Sequence, residues 1–247
     1  FGIYMVLGLG FLLTVGKVTA PGRGRYGFCV LLGALSGAMH LARTDGLLWL
    51  LIAYLVVLVR ERQEPGGTRG MPASGRWFPK LISGGFFVTL GYLLIMGPWL
   101  ARNVVVLGTP LASGNGRTVW TTDYNQIFSY PADRINFQKW WASGWLEILK
   151  GRWWALGINL QRILTEQGGI ILLPFMVMGL WKLRSMIRVK VVLAVWMLTT
   201  LVMTVVFPYA GARGGLFHAC AAMQPLFWAV VPIGFEAFIG WGVAKRG

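Results

Sequence analysis

Seven apolar runs separated by short polar stretches organise the chain. They are Phe1–Val15, Tyr26–Leu41, Gly46–Val59, Leu81–Trp99, Gly168–Trp181, Val191–Phe207 and Gln224–Val243. Runs of this length and character predict helices, several near the ~20 residues that cross a bilayer. The stretches between them differ in charge. Gly16–Arg25, Arg60–Lys80, Lys182–Lys190 and Ala244–Gly247 carry most of the lysine and arginine. Strict alternation puts all four on one face, and the bias of basic residues towards the cytoplasm makes that face internal. The other face receives the turn Arg43–Asp45, a long loop from Ala101 to Gln167, and the connection Pro208–Met223. The pattern predicts an all-α, polytopic transmembrane bundle of about seven membrane helices. It forms one integral membrane domain over 1–247, with residues 101–167 as an external loop.

Two of the polar stretches have a character of their own. The linker "RERQEPGGTRGMPASGR" holds Pro and Gly that break helix and reads as a flexible connection facing anionic lipid. Within the external loop, "FQKWWASGWLEILKGRWWALGINLQRIL" shows helical spacing. Trp140, Trp141, Trp145 and Leu149 fall on one side when stepped by three or four. Tryptophans among lysines and arginines suit the headgroup level, so this segment reads either as interfacial helices or as a helical cap packed on the bundle.

Composition agrees with the pattern. Hydrophobic residues make up 56% of the 247, charged residues 13%, and the mean hydropathy is +0.62. A soluble domain holds about 25% charged residues. The net charge of +15 would suit nucleic acid, but it is concentrated in short segments between apolar runs, the pattern of cytoplasmic loops. No nucleic-acid partner is expected. Cys29 and Cys220 lie in or beside apolar runs and read as packing residues. No Asp/Glu/His cluster has ligand spacing, so neither metal nor cofactor is expected. The chain begins at Phe1 inside an apolar run, without an initiator methionine, and reads as the C-terminal portion of a longer membrane domain.

The turn "RTD" is where chemistry first suggests itself. Tyr26–Leu41 has 16 residues, roughly 24 Å of helix at about 1.5 Å each, and Gly46–Val59 is shorter still. The hydrocarbon core is about 30 Å thick. Anchored at their basic ends, neither helix reaches across, so Arg43 and Asp45 should lie below the outer surface, facing protein or a wet cavity. There they either neutralise each other, with Asp45 as a cap, or form part of a functional site. "GPWLARNVVVLGTPL" adds Arg102 and Asn103 just past the fourth run. "FPYAGARGGLFHACAAMQP" adds Arg213 and His218 beside two glycines. The three arginines are expected on one face near membrane depth, as forks for phosphate oxygens or as snorkelling side chains. Glu236, inside the last run, should face the bundle or lie close to the inner surface.

"HLARTDGLLWLL", "GPWLARNVVVLGTPL" and "ARGGLFHACAAMQP" together resemble three landmarks of bacterial polytopic GT-C glycosyltransferases, relatives of the protein O-mannosyltransferases and the aminoarabinose transferases of lipid A. The resemblance covers nearly the whole chain in order. It implies transfer of a sugar from a polyprenyl-phosphate donor to a lipid, glycan or protein acceptor on the external face of a bacterial inner membrane. It also implies that Arg43 and Arg102 hold the donor phosphate, with Asp45, Asn103, Arg213 and His218 around the pocket. The family's catalytic carboxylate sits in an early external loop. The base is therefore expected upstream of Phe1, with His218 the one candidate within the chain. Two other classes remain: a transporter, which would show related halves and ionisable residues near the midplane, and a non-catalytic subunit of envelope polysaccharide assembly.

Overall fold

The computed structural model describes residues 1–20, 24–63, 77–111, 115–128 and 131–244. Among them every regular element is helical. Each of the seven apolar runs contains a helix: α1 (Gly2–Thr19), α2 (Arg25–Ala42), α3 (Leu47–Gln63), α4 (Trp77–Leu107), α7 (Leu173–Lys182), α8 (Ile187–Leu201) and α11 (Gln224–Ala244). Between them lie α5 (Phe137–Ala142) and α6 (Trp145–Arg162) in the long loop. The short turns α9 (Pro208–Ala210) and α10 (Leu216–Cys220) precede α11. Four stretches are long and apolar enough to cross a membrane: Gly2–Thr19, Ile82–Leu107, Ile187–Val206 and Pro208–Ala244.

Contacts between helices are made where the backbones touch. On α2, a Cβ at Gly33 would overlap the carbonyl oxygen of Val88 on α4, and a Cβ at Gly91 on α4 would overlap that of Val30. The spacing Gly33-x-x-x-Gly37 repeats the contact one turn on, against Tyr92. The pair α7–α11 is built alike, with Gly179 on the Val230 carbonyl and Gly234 on that of Phe175. Approach at this distance gains dispersion along a whole turn of backbone. α1 runs through the middle. Its Phe11 is fully buried, edge-on to Trp49 of α3 with centroids 4.9 Å apart.

The basic segments gather at one end, as their alternation predicts. Arg60 donates to the carbonyls of Val18 and Ala20, and Arg25 pairs with Glu61 at 3.1 Å. Arg188 lies against Gly16. Glu236 reaches the same end, within 3.8 Å of Lys182, with its side chain 79% exposed. It faces outward rather than into the bundle. The turn Arg43–Asp45, the long loop and the Pro208–Gly215 segment occupy the opposite end.

Three expectations need correction. α4 runs through Pro98 to Leu107, so Arg102 and Asn103 are inside the helix rather than past it. A proline removes one backbone donor but does not stop a helix whose apolar sequence continues. The tryptophan stripe is not on one helix, because Gly144 at φ 86° separates α5 from α6. Trp140 packs on Trp120 at 5.4 Å, while Trp141, Trp145 and Trp153 are exposed. The helix α3 continues through Gln63, into the segment read as a flexible linker. The rest of that linker, with Arg69 and Arg76, lies outside the described residues, as do Arg23, Lys245 and Arg246.

Two measurements check this arrangement. Gly33→Ala should lower stability by about 1–3 kcal/mol, as overpacking does, seen as earlier thermal aggregation in detergent. Gly97→Ala, where a Cβ meets open space, should change it little. Single cysteines at Asn125 and Ser185, with the two buried native cysteines replaced by alanine, should label oppositely with an impermeant thiol reagent in intact cells: Asn125 reacts and Ser185 does not.

Candidate functional site

The opposite end holds two groups of side chains on either side of one kinked segment. The first is built on the turn between α2 and α3. Here the chain folds back so tightly that a Cβ at Gly46 would overlap the Met39 carbonyl, which explains why no longer loop is needed. Arg43 Nε donates to Asp45 Oδ1 at 2.8 Å. Tyr4 of α1 donates its phenol to Asp45 Oδ2 at 3.2 Å. Arg43 Nη2 reaches the carbonyl of Gly215 at 3.5 Å. The Asp45 side chain is 7% exposed and that of Arg43 28%. The carboxylate is thus fully engaged by two donors, and it caps no helix. The guanidinium keeps an open side: no hydrogen bond to Nη1 is formed among the described residues. His218 lies close by, stacked on Phe1 with ring centroids 4.4 Å apart.

The kinked segment runs over Gly211–Gly215. Arg213 leaves helical geometry at φ −89°, ψ 19°, and Gly214 takes φ 114°, which a side chain would strain. The kink turns Arg213 away from Arg43. Its guanidinium carbon sits 3.8 Å from the ring centroid of Tyr124, in the long loop. There it borders a polar cavity of about 390 Å³ that also takes in Asp123, Glu147, Lys150, Trp154 and Tyr209. Tyr209 anchors this second group. Its hydroxyl donates to the carbonyl of Thr122, and its ring stacks on Trp154 at 5.7 Å. Gly151 leaves room for that hydroxyl on α6.

Lys150 and Trp154 also border an apolar groove of about 990 Å³ between α6 and α8. Leu149 and Trp153 form one wall, Met197 and Leu201 the other, and Arg152 stands at the rim. The tip of α6 is tied down at its far end by Asn159, which donates to Thr204 at 3.0 Å.

The six residues read from the sequence therefore divide. Arg43, Asp45 and His218 come together. Arg213 belongs to the second group. Arg102 and Asn103 stand apart: Arg102 lies over Trp99 at 5.1 Å, and buried Asn103 donates to the Pro110 carbonyl at 3.2 Å, tying the end of α4 to the loop. The three arginines hold different partners: Arg43 Asp45, Arg102 the Trp99 ring and Arg213 the Tyr124 ring. Sequence reasoning missed Tyr4, Tyr124 and Tyr209. Tyr4 did carry a signal, as the one tyrosine of an apolar run whose other hydroxyl belongs to a threonine, whereas the other two had none.

Because Tyr4 and Arg43 both bind Asp45, its loss disconnects them together. Asp45→Asn should cost about 1–2 kcal/mol, less than a fully buried pair because Arg43 is partly solvated. Tyr4→Phe should cost about 1 kcal/mol. The double variant should unfold close to Asp45→Asn alone, a non-additivity read from thermal denaturation in detergent.

No family model, no curated protein and no solved structure matches the chain.

Proposed function

We propose that the chain is the membrane part of a glycosyltransferase that moves a sugar from a polyprenyl-phosphate donor to an acceptor on the external face. The observation that carries this reading is the junction at Lys150 and Trp154, where an apolar groove of about 990 Å³ meets a polar cavity of about 390 Å³. A lipid-linked sugar has that division: a long hydrocarbon tail, an anionic phosphate, then a polar ring. Apolar walls accept the tail through shape and dispersion, and Arg152, which lines the groove, offers a guanidinium to the phosphate.

Arg43 lines neither the groove nor the cavity and is a phosphate candidate through the resemblance of its turn to the glycosyltransferase landmark. Asp45 holds it by Nε and the Gly215 carbonyl faces Nη2, which leaves Nη1 for a phosphate oxygen. In this reading α2, α3 and α7 cross the bilayer too, making seven spans. α7 has only 10 residues, about 15 Å of helix, and packs on α11 through Gly179 and Gly234. The membrane is the inner membrane of a bacterium, and the acceptor is a lipid, glycan or protein. A transporter reading has less support, since Glu236, the one carboxylate deep in the last apolar run, faces outward beside Lys182.

Transfer from a radiolabelled polyprenyl-phosphate sugar, measured in membranes carrying the protein, tests the proposal. Arg43→Ala should reduce transfer about 100-fold at unchanged protein level, the effect of removing a charge-assisted hydrogen-bond pair. Arg43→Lys should recover only part, because a point charge lacks the fork. Full transfer by Arg43→Ala would remove this residue from donor binding, and absence of any transfer by the unaltered protein would remove the reading itself.

A further inference from the structure

The polar cavity holds charges of both signs and two faces of aromatic ring, and these features together select a ligand class. Asp123 and Glu147 supply two carboxylates, Lys150 and Arg213 two cations. The formal charges cancel. The cations are already engaged: Lys150 Nζ lies 2.6 Å from Glu147 Oε1, and the Arg213 guanidinium is stacked on Tyr124. An anion entering here would have to displace a carboxylate from Lys150 and would face Asp123. A cation would meet Arg213. A neutral ligand with many hydroxyl groups meets no such opposition, and it can donate to both carboxylates while accepting from Lys150 and the Asn125 side chain, which also borders the cavity.

The geometry adds a platform. Trp154, 43% exposed, borders the cavity while its ring is held against Tyr209 at an interplanar angle of 30°. An indole fixed in this way offers an apolar surface to the C–H face of a pyranose, whose hydroxyls point outward at its rim. Asp123 is oriented in turn: its Oδ1 accepts the backbone N–H of Asn125 at 2.8 Å. The volume of about 390 Å³ falls at the low end of the range for small-molecule sites, about 300–1,000 Å³.

We infer that this cavity, between the 122–126 loop, α6 and the Tyr209–Arg213 turn, binds an uncharged sugar ring through Asp123, Glu147 and the face of Trp154. The sugar comes either from the lipid-linked donor or from an acceptor glycan. Both roles rest on the transferase reading, whereas binding of the ring does not.

The test uses saturation-transfer difference NMR on the protein in lipid nanodiscs, with no turnover required. The probes are methyl mannoside, methyl glucoside and methyl galactoside, with methyl glucuronide and glucosamine as charged counterparts. At least one neutral glycoside should bind, and more tightly than either charged sugar. Asp123→Asn and Trp154→Ala should each weaken it about tenfold, with thermal denaturation showing that both variants stay folded. Displacement by a polyprenyl-phosphate sugar would assign the cavity to the donor, and undiminished binding in its presence would assign it to the acceptor. Three results would overturn the inference: no neutral glycoside binds, a charged sugar binds as well or better, or both folded variants bind like the unaltered protein. If glycosides bind as expected while no transfer can be measured, the cavity stands and the transferase reading falls.

Discussion

In a bilayer an apolar helix gains nothing by hiding its side chains from lipid that is equally apolar, so contact between backbones must supply the cohesion. In this bundle such close approach is made at a few glycines. Gly33 and Gly91 let α2 and α4 meet carbonyl to Cα, and Gly179 with Gly234 do the same for α7 and α11. Gly8 places α1 against Ala222 just before α11. With these contacts made, α1 is positioned so that Tyr4 meets Asp45. The turn that carries Arg43 is then fixed from both sides.

The kinked segment Gly211–Gly215 is the opposite case, glycine used for freedom of φ rather than for closeness. Gly214 at φ 114° lets two neighbours serve two directions. The Gly215 carbonyl faces Arg43, and the Arg213 side chain faces Tyr124. Thus five residues join the turn at the end of α2 to the cavity beneath the long loop. Along the chain the two groups are otherwise joined only by the long stretch between Asp45 and Thr122.

Much of the helical layout is legible in the sequence because it follows from runs of apolar residues and from where lysine and arginine are absent. The grouping of basic segments at one end, confirmed by Arg60 on Val18 and Arg25 on Glu61, was likewise readable. Side-chain direction was not. Arg102 looked equivalent to Arg43 because both follow an apolar run, but α4 continues past Pro98 and turns Arg102 onto Trp99. Trp140 and Trp145 fit one helical face on paper, and a single positive φ at Gly144 separates them. The polar cavity could not be found by spacing, since Asp123, Glu147 and Arg213 are brought together only by the fold of the long loop. The glycine spacing on α2 was visible and would have named the α2 contact face.

The exposed tryptophans of α5 and α6 have a mechanical meaning. Trp141, Trp145 and Trp153 prefer one level, the boundary between headgroups and hydrocarbon, while the rest of the bundle is set by its own hydrophobic length. α6 is fastened to the bundle along its length, by Gly151 and Trp154 on Tyr209 and by Asn159 on Thr204. With the helix held in this way, the level at which its exposed rings stand is set by the bundle and not by the helix itself.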